Sequence, residues 1–288
     1  MENNAQKINW YPGHMAKTKR LIKEMTNLID IVYEIIDARI PYSSKIKDID
    51  ELVKNKPRIL IMAKKDLCDI NETKLWQEYY NKKGYQVLIM DLKNDNDYQK
   101  LIKLTDDLGA DLQSQRKAKN MQEKVLRALV IGIPNVGKST LINKLAGKKV
   151  VAVGNMPGVT KGLSWLNTKA NIMLLDSPGI LWPKFDNEEI ALNLAAMTAI
   201  KSEILPITDV AYHALQKMLK YYPQIIANRY QIPVGINIDD AYYAIAKKIG
   251  AIAKDQEIDY EKISHKILND IKNEYLKNIT FDRIDELC

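Results

Sequence analysis

The order of apolar runs in this chain predicts an α/β fold: a mostly parallel sheet flanked by helices, followed by an all-helical region. Three observations carry that expectation. From Ile31 to about residue 110, short β-branched and aliphatic runs alternate with stretches of helical spacing, the pattern of parallel strands covered by helices on both faces. At Ala128-Leu129-Val130-Ile131 an apolar run enters Gly132-Ile133-Pro134-Asn135-Val136-Gly137-Lys138-Ser139, after which Leu141, Ile142 and Leu145 recur at helical spacing. From about Asn187 onward the strand-like runs cease and helix follows helix.

The elements are expected in this order. Pro12-Gly13 marks a turn, and a helix follows to about Leu28. Its polar face carries Lys17, Lys19, Arg20 and Lys23, either a solvated face or a phosphate-contacting one. Ile31 to Ile36 is a strand stopped near Pro41, and a helix near 44–55 leads to Pro57. Arg58 to Met62 is the next strand, with Ala63-Lys64-Lys65-Asp66 directly behind it. A helix near 71–83, a strand from Gln86 to Met90 and a long helix from about 96 complete the alternation. The basic segment from Arg116 to Arg127 then bridges into the strand before the glycine-rich turn. Ile172-Met173-Leu174-Leu175 is a buried strand carrying Asp176-Ser177-Pro178-Gly179 at its carboxyl end. Helices are expected near 188–202, 207–221, 223–230, 238–250 and 259–276, several of them separated by Pro206, Pro223 and Pro233. The division is thus 1–183 and 184–288.

Composition narrows the class. Hydrophobic residues make up 46% and charged residues 27% of 288, as in soluble globular proteins. Two distant cysteines, Cys68 and Cys288, form no C-x-x-C and suit a reducing compartment rather than a disulfide framework or zinc site. No apolar run reaches the length of a membrane span, and the opening Met1-Glu2-Asn3-Asn4 lacks a signal pattern, so a cytoplasmic location is expected; a monomer is expected as well. The net charge of +7 is uneven: residues 1–183 hold 30 Lys/Arg against 20 Asp/Glu, and the remainder 13 against 16. A basic front half suits a phosphate-rich partner such as nucleic acid, although part of the excess serves a bound nucleotide.

The chemistry rests on three stretches. Gly132 to Ser139 fits G-x-x-x-x-G-K-[ST], with Thr140 next: a glycine turn that aims backbone N–H groups and a helix N-terminus at phosphates. Lys138 would reach the terminal phosphates, and the Ser139 hydroxyl would hold magnesium. Asp176-Ser177-Pro178-Gly179 fits D-x-x-G, in which Asp176 holds magnesium through water and the Gly179 N–H meets the γ-phosphate. Lys64 and Asp66 match the last part of [NT]-K-x-D. Asp66 would accept the N1–H and exocyclic amine of guanine, a pair adenine cannot supply, while the Lys64 stem covers the base. Ala63 replaces the usual amide, so weaker binding is expected with guanine preference kept. This element precedes the phosphate loop instead of following it, which a circular permutation of a compact domain permits.

Those stretches, with Trp10 to Met15, Asp37-Ala38-Arg39-Ile40-Pro41, Pro157-Gly158-Val159-Thr160 and Ile180-Leu181-Trp182-Pro183, resemble the ribosome biogenesis GTPase A family of circularly permuted P-loop GTPases (motif order G4-G5-G1-G2-G3) over nearly the whole chain. The resemblance implies a GTPase that binds GTP and GDP with magnesium. It further implies a role in late assembly of the bacterial large ribosomal subunit, contact with rRNA, and activation by the particle. Lys65, Asp91, Val136, Gly137 and Thr140 join the nucleotide contacts on this reading, although Asp91-Leu92-Lys93 stands where a small Ser-Ala-type loop is expected. Thr160 resembles the switch threonine on magnesium. Ile180 stands where many GTPases place a water-orienting Gln, so something else must position the water. Asn135 matches potassium-activated GTPases; the other reading is a turn-forming Asn. His14 either orients the attacking water or fixes the N-terminal turn. Two further readings stay open: an RNA-binding placeholder with nucleotide in a structural role, and a GTPase serving another partner.

Overall fold

The computed structural model describes residues 13–47, 49–53, 56–151, 163–181, 187–200, 204–252 and 257–287. A helix, α1 (Gly13–Met25), leads through a 3-10 turn to β1 (Ile31–Asp37), followed by α2 (Ile49–Val53), β2 (Arg58–Ala63), α3 (Ile70–Lys82), β3 (Gln86–Ile89) and α4 (Asp95–Ala118). Then come β4 (Leu126–Gly132), α5 (Lys138–Ala146), β5 (Ser164–Asn167) and β6 (Ile172–Asp176). The strands form a six-stranded sheet in the order β3-β2-β1-β4-β6-β5, parallel except for the β5–β6 pair. The expected α/β architecture is therefore present.

The central strands have the sequences that two-sided burial demands. Every residue of β1 is buried, and so is every residue of β2 after Arg58. Two carboxylates are the exceptions in kind: Asp37 at the end of β1, and Glu34. The Glu34 carboxylate sits wholly inside, 3.5 Å from Lys45 Nζ and 3.3 Å from Arg58, and the Ile46 N–H donates to it. Burial raises its pKa, and the two cations oppose that rise. Helix starts follow local chemistry: the side chains of Asp69, Asn94 and Asn187 accept N–H groups in the first turns of α3, α4 and α6.

Several boundaries differ from expectation: the last long helix stops at Lys272 instead of 276, and three further differences have local causes. α2 is shorter than 44–55, because Ser44 Oγ donates to Ile40 O at 2.6 Å and accepts the Asp37 N–H, drawing 40–44 into a turn. The edge strand β5 was not foreseen; it has four residues and is only half covered, so it shows no apolar run. α6 (Glu188–Ala196) stops before 202 at a turn in which Thr198 has φ +63°.

Behind the sheet lie α7 (Ile207–Tyr221), α8 (Pro223–Tyr230), α9 (Ile238–Ile249), α10 (Tyr260–Lys272) and the short α11 (Ile284–Leu287). The apolar faces of α7 to α10 share one continuous cluster with the sheet, running from Tyr33 and Val130 through Leu194 to Leu215, Ile245 and Phe281, while Ile284 and Leu287 of α11 pack on the cluster of Trp76 and Tyr80. Among the described residues no helix is long and apolar enough to cross a membrane.

Candidate nucleotide-binding site

β4 hands the chain to the glycine-rich turn at the carboxyl end of the sheet, where ligands of open parallel sheets sit. Two glycines are required here. Gly137 opens α5 with φ +112°, a conformation that side chains resist. Gly179 lies so close to the turn that a Cβ on it would stand 2.8 Å from Pro134 N, which brings the Asp176–Gly179 segment onto the phosphate loop. That segment is fixed from both sides: Ser177 Oγ donates to Val130 O at 2.7 Å, and the Ile180 N–H donates to Gly132 O at 3.1 Å. Ile180 is fully buried in a cluster with Ile22 of α1 and Leu129, so it belongs to the core and leaves the site to other residues.

Lys138 is buried, and its ammonium donates to Gly132 O at 3.0 Å and to Ile133 O at 2.6 Å. Burial lowers its pKa to about 8, and the charge of the fully buried Asp176 works against that fall. A poised cation with backbone carbonyls for company, inside a loop that presents amides, is suited to polyanionic phosphate oxygens. Ser139 and Thr140 begin α5, half-buried.

The early base-specificity element arrives at the same place. A cavity of about 230 Å³ is lined by Lys64, Asp66 and Asp91 together with Asn135, Val136, Gly137 and Thr140. The permuted segments thus meet in one pocket. Lys64 adopts φ +62° and sends its ammonium to Asp37, 2.8 Å away. Asp37 also accepts Nε and Nη2 of Arg39 at 3.0 and 2.8 Å. Burial alone would raise the Asp37 pKa, but Arg39 and Lys64 carry it well below the carboxylate range. Lys65 does not line the cavity; its ammonium lies 3.6 Å from Asp97 on α4. Asp91 closes a turn by accepting the Lys93 N–H at 2.8 Å.

Several lining groups were not foreseen. Arg39 was named only within Asp37-Ala38-Arg39-Ile40-Pro41, a strand-ending stretch that carries part of the resemblance, and not as a site residue. Lys93 places its ammonium on the Asp66 carboxylate at 2.9 Å and 3.8 Å from Glu274. The carboxyl ends of α6 and α10 supply Met197, Thr198, Lys272 and Glu274 to the lining, and the Asn135 amide donates to Thr198 O at 2.6 Å. No local sequence signal marks these, because they reach the pocket through tertiary packing. Thr160 and the rest of 152–162, Trp10 to Pro12, Trp182-Pro183, Cys288 and the side chain of His14 lie outside the described residues.

Comparison with known proteins agrees with this geometry. A family model described as 50S ribosome-binding GTPase matches residues 127–237. Ribosome biogenesis GTPase A of Bacillus licheniformis is 40% identical over 281 residues, covering 97% of this chain and 99% of that protein. The chain belongs to the ribosome biogenesis GTPase A family. It is by membership a GTP-binding GTPase of ribosome biogenesis. The relative from Priestia megaterium is 39% identical, with 96% of both chains covered, and that from Thermotoga maritima 29%, with 97% and 96% covered. Among solved structures, GNP-bound YlqF from T. maritima has a TM-score of 0.64 at 25% identity, covering 93% of this chain and 98% of that one. A GDP-bound structure of TM YlqF, at 23% identity, shares the fold with a TM-score of 0.65, covering 92% and 100%.

Proposed function

We propose that this chain is a GTPase acting late in assembly of the bacterial large ribosomal subunit: it binds rRNA and the pre-ribosomal particle with GTP and leaves on hydrolysis. The observation that supports this most is the shared cavity. Asp66 and the phosphate loop line it from one side, and the ends of α6 and α10 line it from the other. A change at the phosphates therefore has a direct route to the helices beyond residue 187.

In this reading residues 1–183 bind and hydrolyse the nucleotide and residues 184–288 report its state. Asp66 accepts the guanine edge, with Lys64 and Asp91 beside it, while Lys65 serves by holding α4. Amides of Val136, Gly137, Ser139 and Thr140 and the Lys138 ammonium take the phosphates, and the Gly179 N–H takes the γ-phosphate. Bound magnesium would draw on the Ser139 hydroxyl, Thr160 and, through water, Asp176, and would supply charge neutralisation at the phosphates. The close Gly179–Pro134 approach and the buried Lys138–Asp176 charges suit such a group. A potassium ion near Asn135 would stabilise developing charge, and His14 would orient the water that Ile180 leaves unattended.

Single-turnover hydrolysis with and without large subunits tests this, alongside co-sedimentation with subunit precursors under a GTP analogue or GDP. Faster turnover on the particle and GTP-dependent co-sedimentation are expected. Unstimulated hydrolysis with nucleotide-independent binding would replace the reading with that of an RNA-bound placeholder, and no co-sedimentation would point to another partner.

A further inference from the structure

The β1–α2 connection, α3 and the turn before β3 enclose a second cavity of about 330 Å³. Its wall is tyrosine and lysine: Tyr42, Tyr79 and Tyr85 with Lys45, Lys47 and Lys83. Among the described residues no carboxylate lines it. The rings form a connected stack rooted in the core. Tyr85 meets Tyr80 edge-on at 5.7 Å, Tyr80 meets Tyr79 at 5.2 Å, and the fully buried Trp76 lies 5.4 Å from Tyr79 and 5.9 Å from Tyr42. Cations sit over these rings, with Lys45 Nζ 4.8 Å and Arg58 Cζ 4.7 Å from the centre of Tyr85, and Lys83 Nζ 4.3 Å from that of Tyr79.

Packing accounts for part of this. Lys45 and Arg58 balance the buried Glu34, and Tyr80 and Trp76 are core. Lys83 also donates to the Tyr79 hydroxyl; the half-buried Tyr85 and Tyr79 rings nonetheless open into a pocket whose exposed rim carries Lys47 and Lys83. Rings anchored at the back with ammonium groups at the rim are what an unpaired nucleotide needs. The base stacks on an aromatic face, and its phosphates meet the lysines. Duplex would offer the lysines its backbone but could not bring a base face to the rings. An acidic peptide would likewise use the lysines and leave the tyrosines idle.

We propose that this tyrosine–lysine cavity binds an unpaired nucleotide of single-stranded RNA, with Tyr85 as the stacking platform and Lys47 and Lys83 on the flanking phosphates. The choice of RNA rests on the ribosomal reading above; the aromatic and basic wall stands independently of it.

The test is fluorescence anisotropy of the full chain with a short, labelled, single-stranded RNA of mixed sequence, with GDP affinity measured on every variant. Tyr85→Ala should weaken RNA binding about 5- to 100-fold, the range of one lost base stack, with GDP affinity unchanged. Tyr85→Phe should restore binding to within about twofold, since stacking needs the ring and not the hydroxyl. Lys47→Ala, at an exposed position, should flatten the dependence of log affinity on log salt by about 0.7, one phosphate contact of a single strand. The proposal is overturned if the wild-type chain ignores the single strand or prefers duplex, if Tyr85→Ala with normal GDP affinity binds RNA like wild type, or if a glutamate-rich peptide displaces the RNA. Subunit-stimulated hydrolysis measured in parallel reports on the proposed function alone, so the two readings can fail separately.

Discussion

If Asp66 accepts the guanine edge as proposed, Lys93 occupies that acceptor, and removing Lys93 should strengthen nucleotide binding. Its ammonium lies 2.9 Å from Asp66, and hydrogen bonding and attraction to Asp66 raise its pKa. For Asp66 to accept the guanine N1–H and amine, that contact must be given up. The pair is largely wet, with Lys93 69% and Asp66 29% exposed, so it is worth at most about 1 kcal/mol after solvent screening. At about 1.4 kcal/mol per tenfold, Lys93→Ala should tighten GDP binding by up to about fivefold. Glu274, 3.8 Å from the same ammonium, offers Lys93 a second carboxylate when it leaves the first. Glu274→Gln should therefore act in the opposite direction, weakening GDP slightly by holding Lys93 on Asp66. Stopped-flow titration with a fluorescent GDP analogue reads both variants, with Asp66→Asn paired to xanthosine diphosphate as the check on base recognition. The reasoning is refuted if Lys93→Ala binds GDP more weakly than wild type, because Lys93 would then be a ligand of the nucleotide and not its competitor.

Lys138 sets a pH dependence. With its pKa near 8 in the nucleotide-free chain, phosphate binding must return a proton to it above that pH. GDP affinity should thus fall above about pH 8, by up to about tenfold per unit, with proton uptake visible calorimetrically in buffers of different ionisation heat. The nucleotide-free fold should gain stability across the same range, because the unfolded chain keeps that proton to higher pH. Replacing potassium by sodium should slow hydrolysis on the order of tenfold, and Asn135→Ala should abolish the difference between the salts. Asp282→Ala should lower unfolding free energy by about 3 kcal/mol or more in denaturant titration, since four donors would lose their acceptor: the N–H groups of Tyr42 and Ser43, Ser43 Oγ and Asn193 Nδ2.

What could be read in the sequence was what periodicity and local turn chemistry encode. The phosphate loop, Asp176–Gly179 and Lys64–Asp66 each follow a buried strand, and a parallel sheet gathers strand ends at one edge, so their meeting follows from the strand assignment alone. Lys65 shows the limit of adjacency: one residue from Asp66, it faces Asp97, in a turn where Lys64 takes a positive φ and the Lys65 N–H donates to Met90 O. Arg39 was hidden because its guanidinium serves Asp37, and a buried ion pair has no spacing of its own. Thr198 and Glu274 come from regions more than 60 residues beyond Asn135, and only the packing of α6 and α10 on the pocket reveals them. The early end of α6 was equally hidden, since Ala195 to Ile200 is as apolar as a continuing helix would be.

The permuted order acquires a physical sense from the way residues 279–284 return to the sheet. The Ile279 N–H donates to Leu67 O at 3.1 Å and the Phe281 N–H to Arg39 O at 2.7 Å, while Thr280 Oγ1 accepts the Asp69 N–H at 3.2 Å. Asp282 gathers the Tyr42 and Ser43 amides, and its burial raises its pKa to about 6 against the pull of those donors. Both loops that carry base-pocket residues, Arg39 on one and Lys64 and Asp66 on the other, are therefore stitched to this segment by many bonds. On the phosphate side, the Asn135–Thr198 hydrogen bond joins the glycine-rich turn to the helical region. Among the described residues the base loops are thus the more heavily bonded attachment, and the Asn135–Thr198 contact gives a change at the glycine-rich turn a path to the helices. An unpermuted chain would carry its helices away from the base loops; this order carries them away from Asp176–Gly179, the segment proposed to meet the terminal phosphate, and returns them to the loops proposed to hold the base.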